Sequence, residues 1–162
     1  MKKTSLTLAT VLALALCATS SLAQEKTDPT PIPLDPSTVD FTGTWNYSTS
    51  NHKVSGDCPN GSPMDGTLAI TQTGNEVGLM VTSGAVCNPA SMCMYSGGID
   101  DEYLLVSNTD TVDDEGGSAT NALRLHFYSS SEGRGESSSS YVHPKGFECQ
   151  WGHQILVWRS EN

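Results

Sequence analysis

Phe41-Thr42-Gly43-Thr44-Trp45-Asn46-Tyr47 opens the folded part of the chain, and Val157-Trp158-Arg159 closes it. Side chains alternate across a strand with a period of two, so Thr42 to Ser50 reads as a first strand with Trp45 and Tyr47 on one face. After a polar loop from Asn51 to Asp65, Gly66 to Thr73 turns Leu68 and Ile70 to one side. Gly74-Asn75 then makes a tight hairpin turn, and Glu76 to Ser83 returns with Val77, Leu79 and Val81 inward. Met92 to Tyr95 and Glu102 to Asn108 supply a fourth and a fifth strand, followed by an acidic loop from Thr109 to Ser118. Asn121 to Ser129 alternates Leu123, Leu125 and Phe127 against Arg124, His126 and Tyr128. Glu132-Gly133-Arg134-Gly135 is expected to turn the chain into a serine-rich seventh strand, Glu136 to His143, and Phe147 to Arg159 is the eighth.

Eight strands at hairpin spacing, with no amphipathic helix between them, predict an all-β fold: an eight-stranded antiparallel up-and-down barrel. Closure would remove the unpaired edges that an open sheet exposes. A two-sheet β-sandwich is the alternative, since strand counting does not separate the two.

The Gly-x-Trp at Gly43-Thr44-Trp45, placed on the first strand, and an Arg near the end of the last resemble the signature of lipocalins and their calycin relatives; avidin-type barrels open similarly, with the Thr-Gly-x-Trp that Thr42-Gly43-Thr44-Trp45 matches. The resemblance spans about residues 41 to 159. It implies that Trp45 plugs one end of the barrel beneath the Arg159 cation, that the first and last strands lie side by side, and that Gly43, Trp45 and Arg159 are structural.

Residues 1–23 read as a secretory signal: Lys2-Lys3, an apolar run from Val11 to Leu16, and Ser21-Leu22-Ala23 as a cleavage site before Gln24. The stretch is too short for a membrane span, which needs about 20 apolar residues. Residues 24–40 carry Pro29, Pro31, Pro33 and Pro36 and read as an extended leader. The barrel domain is therefore placed at 41–162. The style of the signal is bacterial, so a secreted or periplasmic, monomeric protein is expected.

The full chain has a formal charge of −10; loss of Lys2 and Lys3 with the signal leaves six basic against 18 acidic side chains, or −12. Such a surface argues against nucleic acid and anionic membranes as partners. Four cysteines remain: Cys58, Cys87, Cys93 and Cys149. An even count in an exported chain reads as two disulfides. Of the three possible pairings we favour Cys87–Cys93, stapling a short loop, and Cys58–Cys149, tying the first strand region to the last.

No catalytic motif and no cofactor site is expected. The four histidines, His52, His126, His143 and His153, form no metal-binding spacing, although His126 and His143 are expected near one another across the sixth and seventh strands. Cys149 followed by His153 resembles a blue-copper loop, but no Met follows and the chain continues as strand. Met92 and Met94 read as core methionines flanking a disulfide cysteine. The acidic clusters lack a calcium-loop spacing, and the Ser137–Ser140 run has no base fixed beside it by sequence.

The expected function is a binding module for a small apolar or amphipathic ligand, with Tyr47, Leu68, Ile70, Leu79, Val81, Leu123, Leu125 and Phe127 lining its site. The alternative is a disulfide-tied interaction protein, such as an inhibitor of a lysozyme or protease, docking through the stapled Cys87–Cys93 segment.

Overall fold

The computed structural model describes residues 38–159 except 57 and 102; the expected signal and all but the last residues of the leader lie outside them. Eight strands form a closed antiparallel barrel in which each pairs with its sequence neighbours, and β1 closes on β8. They are β1 (Gly43–Gly56), β2 (Asp65–Thr73), β3 (Glu76–Val81), β4 (Met94–Asp100), β5 (Tyr103–Thr111), β6 (Ser118–Ser129), β7 (Glu132–Val142) and β8 (Glu148–Arg159). The up-and-down barrel is thus the architecture, and the sandwich alternative falls. Among the described residues no helix is long and apolar enough to cross a membrane.

The barrel is apolar within and mostly polar without, the reverse of a barrel whose outer wall faces lipid. Trp45, Leu68, Ile70, Leu104, Leu125 and Val157 are its most deeply buried large side chains. They belong to one core with Phe41, Val77 and Phe127, against which Val39 also packs. Phe41 stacks on Phe127 at 4.1 Å, and Trp45 meets the Phe127 ring edge-on at 5.1 Å. The Trp45 indole N–H donates to the Phe41 carbonyl at 2.9 Å, satisfying its one polar atom inside the core.

Several element boundaries differ from the sequence reading, and four of the differences have a plain physical reason. β1 runs on to Gly56, because an irregularity between Ser50 and Lys53 bends it and lets it keep pairing with β8. The expected turn at Glu132–Gly135 is strand: β6 turns at Ser130-Ser131 instead, and Gly133 and Gly135 face inward opposite Phe127 and Leu125. A side chain at Gly135 would strike the Arg124 carbonyl, so the tight coiling of β7 against β6 requires glycine there. Met92 is not in a strand but in a 3-10 turn, Ala90–Cys93, and β4 starts after it. That turn separates the two methionines: Met92 is buried, whereas Met94 stands on the outer wall and is exposed. The acidic loop shrinks to the residues between Thr111 and Ser118, since Thr109–Thr111 pair with Ser118–Thr120.

The disulfides are Cys58–Cys149 and Cys87–Cys93. The first ties the segment after β1 to the start of β8; the second closes the segment that carries the 3-10 turn. Both suit an oxidising, extracytoplasmic compartment.

Candidate functional site

One end of the barrel is solid and the other is hollow. Trp45, Phe127, Ile70, Leu125 and Val157 fill the first. Two residues further along β1, Tyr47 and then Thr49 face a cavity of about 440 Å³.

The cavity has two unlike walls. Leu68, Leu79, Val81 and Tyr95, from β2 to β4, make one apolar side, with Met92 and Ala85 over its mouth. The opposite side is mixed: β7 offers Ser137, Ser139 and Tyr141, while Asn121 stands between Ala119 and Leu123 on β6, and His153 between Trp151 and Ile155 on β8. β7 is the cause. Its inward positions run Gly133, Gly135, Ser137, Ser139 and Tyr141, so this strand contributes almost no apolar volume and the space beside it stays open.

The segment 85–93 covers the mouth. Its disulfide closes it, and the Asn108 side-chain amide donates to the Met92 carbonyl at 2.9 Å and the Met94 carbonyl at 3.1 Å. Ser91 bonds the Asp110 carboxylate on the same strand, β5. Met92 is thereby held inward over the cavity, where its unbranched thioether conforms to irregular space.

Burial is the main cause of the shifts at Tyr47, Tyr95 and His153. Tyr47 and Tyr95 are raised above the ordinary phenol value by desolvation, Tyr47 further by the Asp65 charge and Tyr95 by Tyr47. The Tyr47 hydroxyl donates to the Ser83 carbonyl at 3.0 Å. Desolvation, and then the nearby His52, hold His153 below its usual value. His153 stacks on His52 at 5.0 Å, and His52 shares a 3.1 Å hydrogen bond with the Thr49 hydroxyl. The rim at this point offers imidazole and hydroxyl groups, suited to hydrogen bonding with a polar head.

Of the residues expected to line a site, Tyr47, Leu68, Leu79, Val81 and Leu123 border the cavity. Ile70, Leu125 and Phe127 share the inward face but lie in the packed end with Trp45. Sequence reading missed Met92, Tyr95, Ser137, Ser139, Tyr141, His153 and Ile155. Their strands' phase would have named most of them once β1 and β8 were set in register.

The expected neighbourhood of His126 and His143 does not form. His126 pairs with Arg134 near the β6–β7 turn, whereas His143 follows the far end of β7, where it meets the Glu115 carboxylate at 2.9 Å. Cys93 and Cys149 are both oxidised, so neither offers a thiolate to copper. Among the described residues no three His, Cys, Asp or Glu side chains converge as metal ligands. Ser137 stands opposite His153 in register, but no hydrogen bond joins them, and among the described residues no carboxylate is bonded to the ring, so these residues do not form the geometry of an activated nucleophile.

In comparisons with known proteins, no family model, curated protein or solved structure matches this chain.

Proposed function

We propose that this chain is an exported, lipocalin-like binding protein that takes one small amphipathic ligand into the hollow end of its barrel. The observation that carries the reading is the cavity of about 440 Å³ with an apolar wall on β2–β4 and a cluster of polar groups, centred on β7, set among apolar ones on β6–β8. Small-molecule sites combine a mostly apolar lining with a few placed polar groups, and an eight-stranded barrel has room for about one such ligand. The apolar part of the ligand would lie against Leu68, Leu79 and Val81, and its polar head against Ser137, Ser139 and His153. Export is supported by the Lys2-Lys3 and Val11–Leu16 pattern and by the two disulfides.

The interaction-protein reading would use the stapled segment 87–93. That segment keeps Met92 turned in over the cavity, and only the adjoining Val86 offers it a fully exposed apolar side chain. It serves better as a cover than as a docking loop.

A thermal-shift screen with fatty acids, retinoids and haem tests the proposal. At least one class is expected to raise the melting temperature, and Ser139→Phe, which fills the cavity, should abolish that rise without unfolding the barrel. Flat melting curves throughout, together with inhibition of a lysozyme or protease by excess protein, would replace this reading with the second.

A further inference from the structure

The outer wall of β5–β8 carries a second concave site that the interior cavity does not use. Two of the chain's three arginines stand there, Arg124 on β6 and Arg134 on β7. The Arg124 guanidinium lies 3.6 Å above the Tyr103 ring, and that of Arg134 lies 4.8 Å from the Tyr128 ring. The His126 ring sits between those tyrosines, 5.5 Å from one and 5.4 Å from the other. The row therefore runs tyrosine, imidazole, tyrosine, with a guanidinium laid on each phenol. Arg124, His126 and Arg134 border a depression of about 550 Å³ together with Glu136 and Gln154.

Stacking explains where the guanidinium planes lie, and among the described residues neither guanidinium has an ion-pair partner. Glu136 is directly across from Arg124 in register, and cross-strand opposite charges commonly pair. Here, among the described residues, the ion pairs formed are those of Glu115 with His143 and Lys145. Arg159, the third arginine, spends a donor on the Asp40 carbonyl at 2.8 Å. Two guanidinium groups held in place by aromatic rings at one depression, with no ion-pair partner among the described residues, can receive an oxyanion in a bidentate manner. In a chain of net charge −10 this concentration of positive charge is local and does not follow from composition. Arg124, Glu136 and Gln154 also border a longer trench across the same wall, whose floor includes Ser107, Ala122 and Ser138. Hydroxyl, amide and carboxylate groups there suit a ligand rich in hydroxyls.

We infer that this face binds a sugar acid, its carboxylate between Arg124 and Arg134 and its hydroxyls toward Glu136, Gln154 and Ser138. Arg124, Arg134, Glu136 and Gln154 do not border the interior cavity, so neither reading depends on the other.

The test is an NMR titration of the Arg Nε–Hε signals at constant ionic strength with glucuronate, glucose and sodium sulfate. Glucuronate should move the Arg124 and Arg134 signals saturably, sulfate at least fivefold more weakly, and glucose not at all. Arg124→Gln with Arg134→Gln should weaken glucuronate at least tenfold. Glu136→Gln, which keeps both stacked arginines and removes a like charge from the ligand, should tighten it. Glucose matching glucuronate, sulfate saturating at the same concentration, or either variant binding like the parent protein would overturn the inference.

Discussion

The Arg159 guanidinium lies 4.8 Å from the centre of the Trp45 ring, and the two residues are direct partners in the β1–β8 ladder. One pairing thus joins the first inward aromatic side chain of the barrel to the last basic residue. The indole is fully buried beneath it. The same guanidinium donates to the Asp40 carbonyl at 2.8 Å, so the cover over the indole is fastened on the entering chain as well.

Trp45→Ala should cost about 3–5 kcal/mol, the usual range for removing a large buried aromatic side chain. Arg159→Ala should cost about 1–2 kcal/mol, from a partly exposed cation–π contact and one hydrogen bond. Urea denaturation of each variant measures both. Equal losses would mean that the cation, not the indole, organises this end.

Gly135→Ala and Gly97→Ala should each destabilise by about 1–3 kcal/mol. An added methyl would meet the Arg124 carbonyl in the first and the Leu105 carbonyl in the second, both rigid backbone. Ser138→Ala, on the outer wall of β7, should stay within about 0.5 kcal/mol. Denaturation midpoints compare the three; a neutral Gly135→Ala would mean that β7 is more loosely coiled than described.

The two disulfides should differ in worth because their loops differ. Cys58–Cys149 spans 91 residues and Cys87–Cys93 spans 6. Chain-entropy reasoning assigns about 4–5 kcal/mol to the first and about 2 to the second. Paired Cys→Ser variants, melted side by side, should rank in that order. The short-loop variant should also exchange its amides faster over 85–93 while β6–β8 stay protected.

Asp113 and Tyr141 give the fold a pH signature at both ends of the scale. The Asp113 carboxylate accepts from the Tyr141 hydroxyl, with the Gly117 and Glu115 amides also bonded to it. First the Tyr141 hydrogen bond, then that of Gly117, hold Asp113 below its ordinary value, while Tyr141 is pushed up to about 12. A depressed acid stabilises the fold above its unfolded value and loses that effect as pH falls through the folded one. The phenol behaves oppositely: its contribution is complete below an unfolded value near 10 and is lost as pH rises through about 12. Ultraviolet titration should find one tyrosine ionising near 12, and Asp113→Asn should bring it back toward 10. An unchanged titration would mean that the hydrogen bond does not persist in solution.

Legibility in the sequence tracked the presence of apolar labels. Leu68, Ile70, Val77, Leu79, Leu123, Leu125 and Phe127 mark the inward face of β2, β3 and β6 unambiguously, and those strands were readable; closure was not carried by their pattern, which a sandwich would share, but by the resemblance at Trp45 and Arg159. β7 carries glycine and serine at its inward positions, so nothing in its pattern told inside from outside, and its first four residues resembled a turn. Depth was also hidden. Alternation says that Ile70 and Leu79 both face inward, but the stagger of tilted strands decides which end of the barrel each reaches. That is why Ile70, Leu125 and Phe127 lie in the solid end rather than against the cavity. The 3-10 turn at Met92 was obscured for a different reason: Met-Cys-Met alternates as a strand would, and the constraint that curls it is a covalent bond to Cys87.

The seam between β1 and β8 bears on the order in which the molecule can be made. β1 leaves the ribosome first and waits through roughly a hundred residues for the partner that occupies one of its two sides, and contacts so distant in sequence form late. A product cut short before β8 would present β1 and β7 as two bare, adhesive margins. The last dozen residues of the barrel are therefore the latch of the whole shell, and the damage from their loss would register as self-association rather than as simple unfolding.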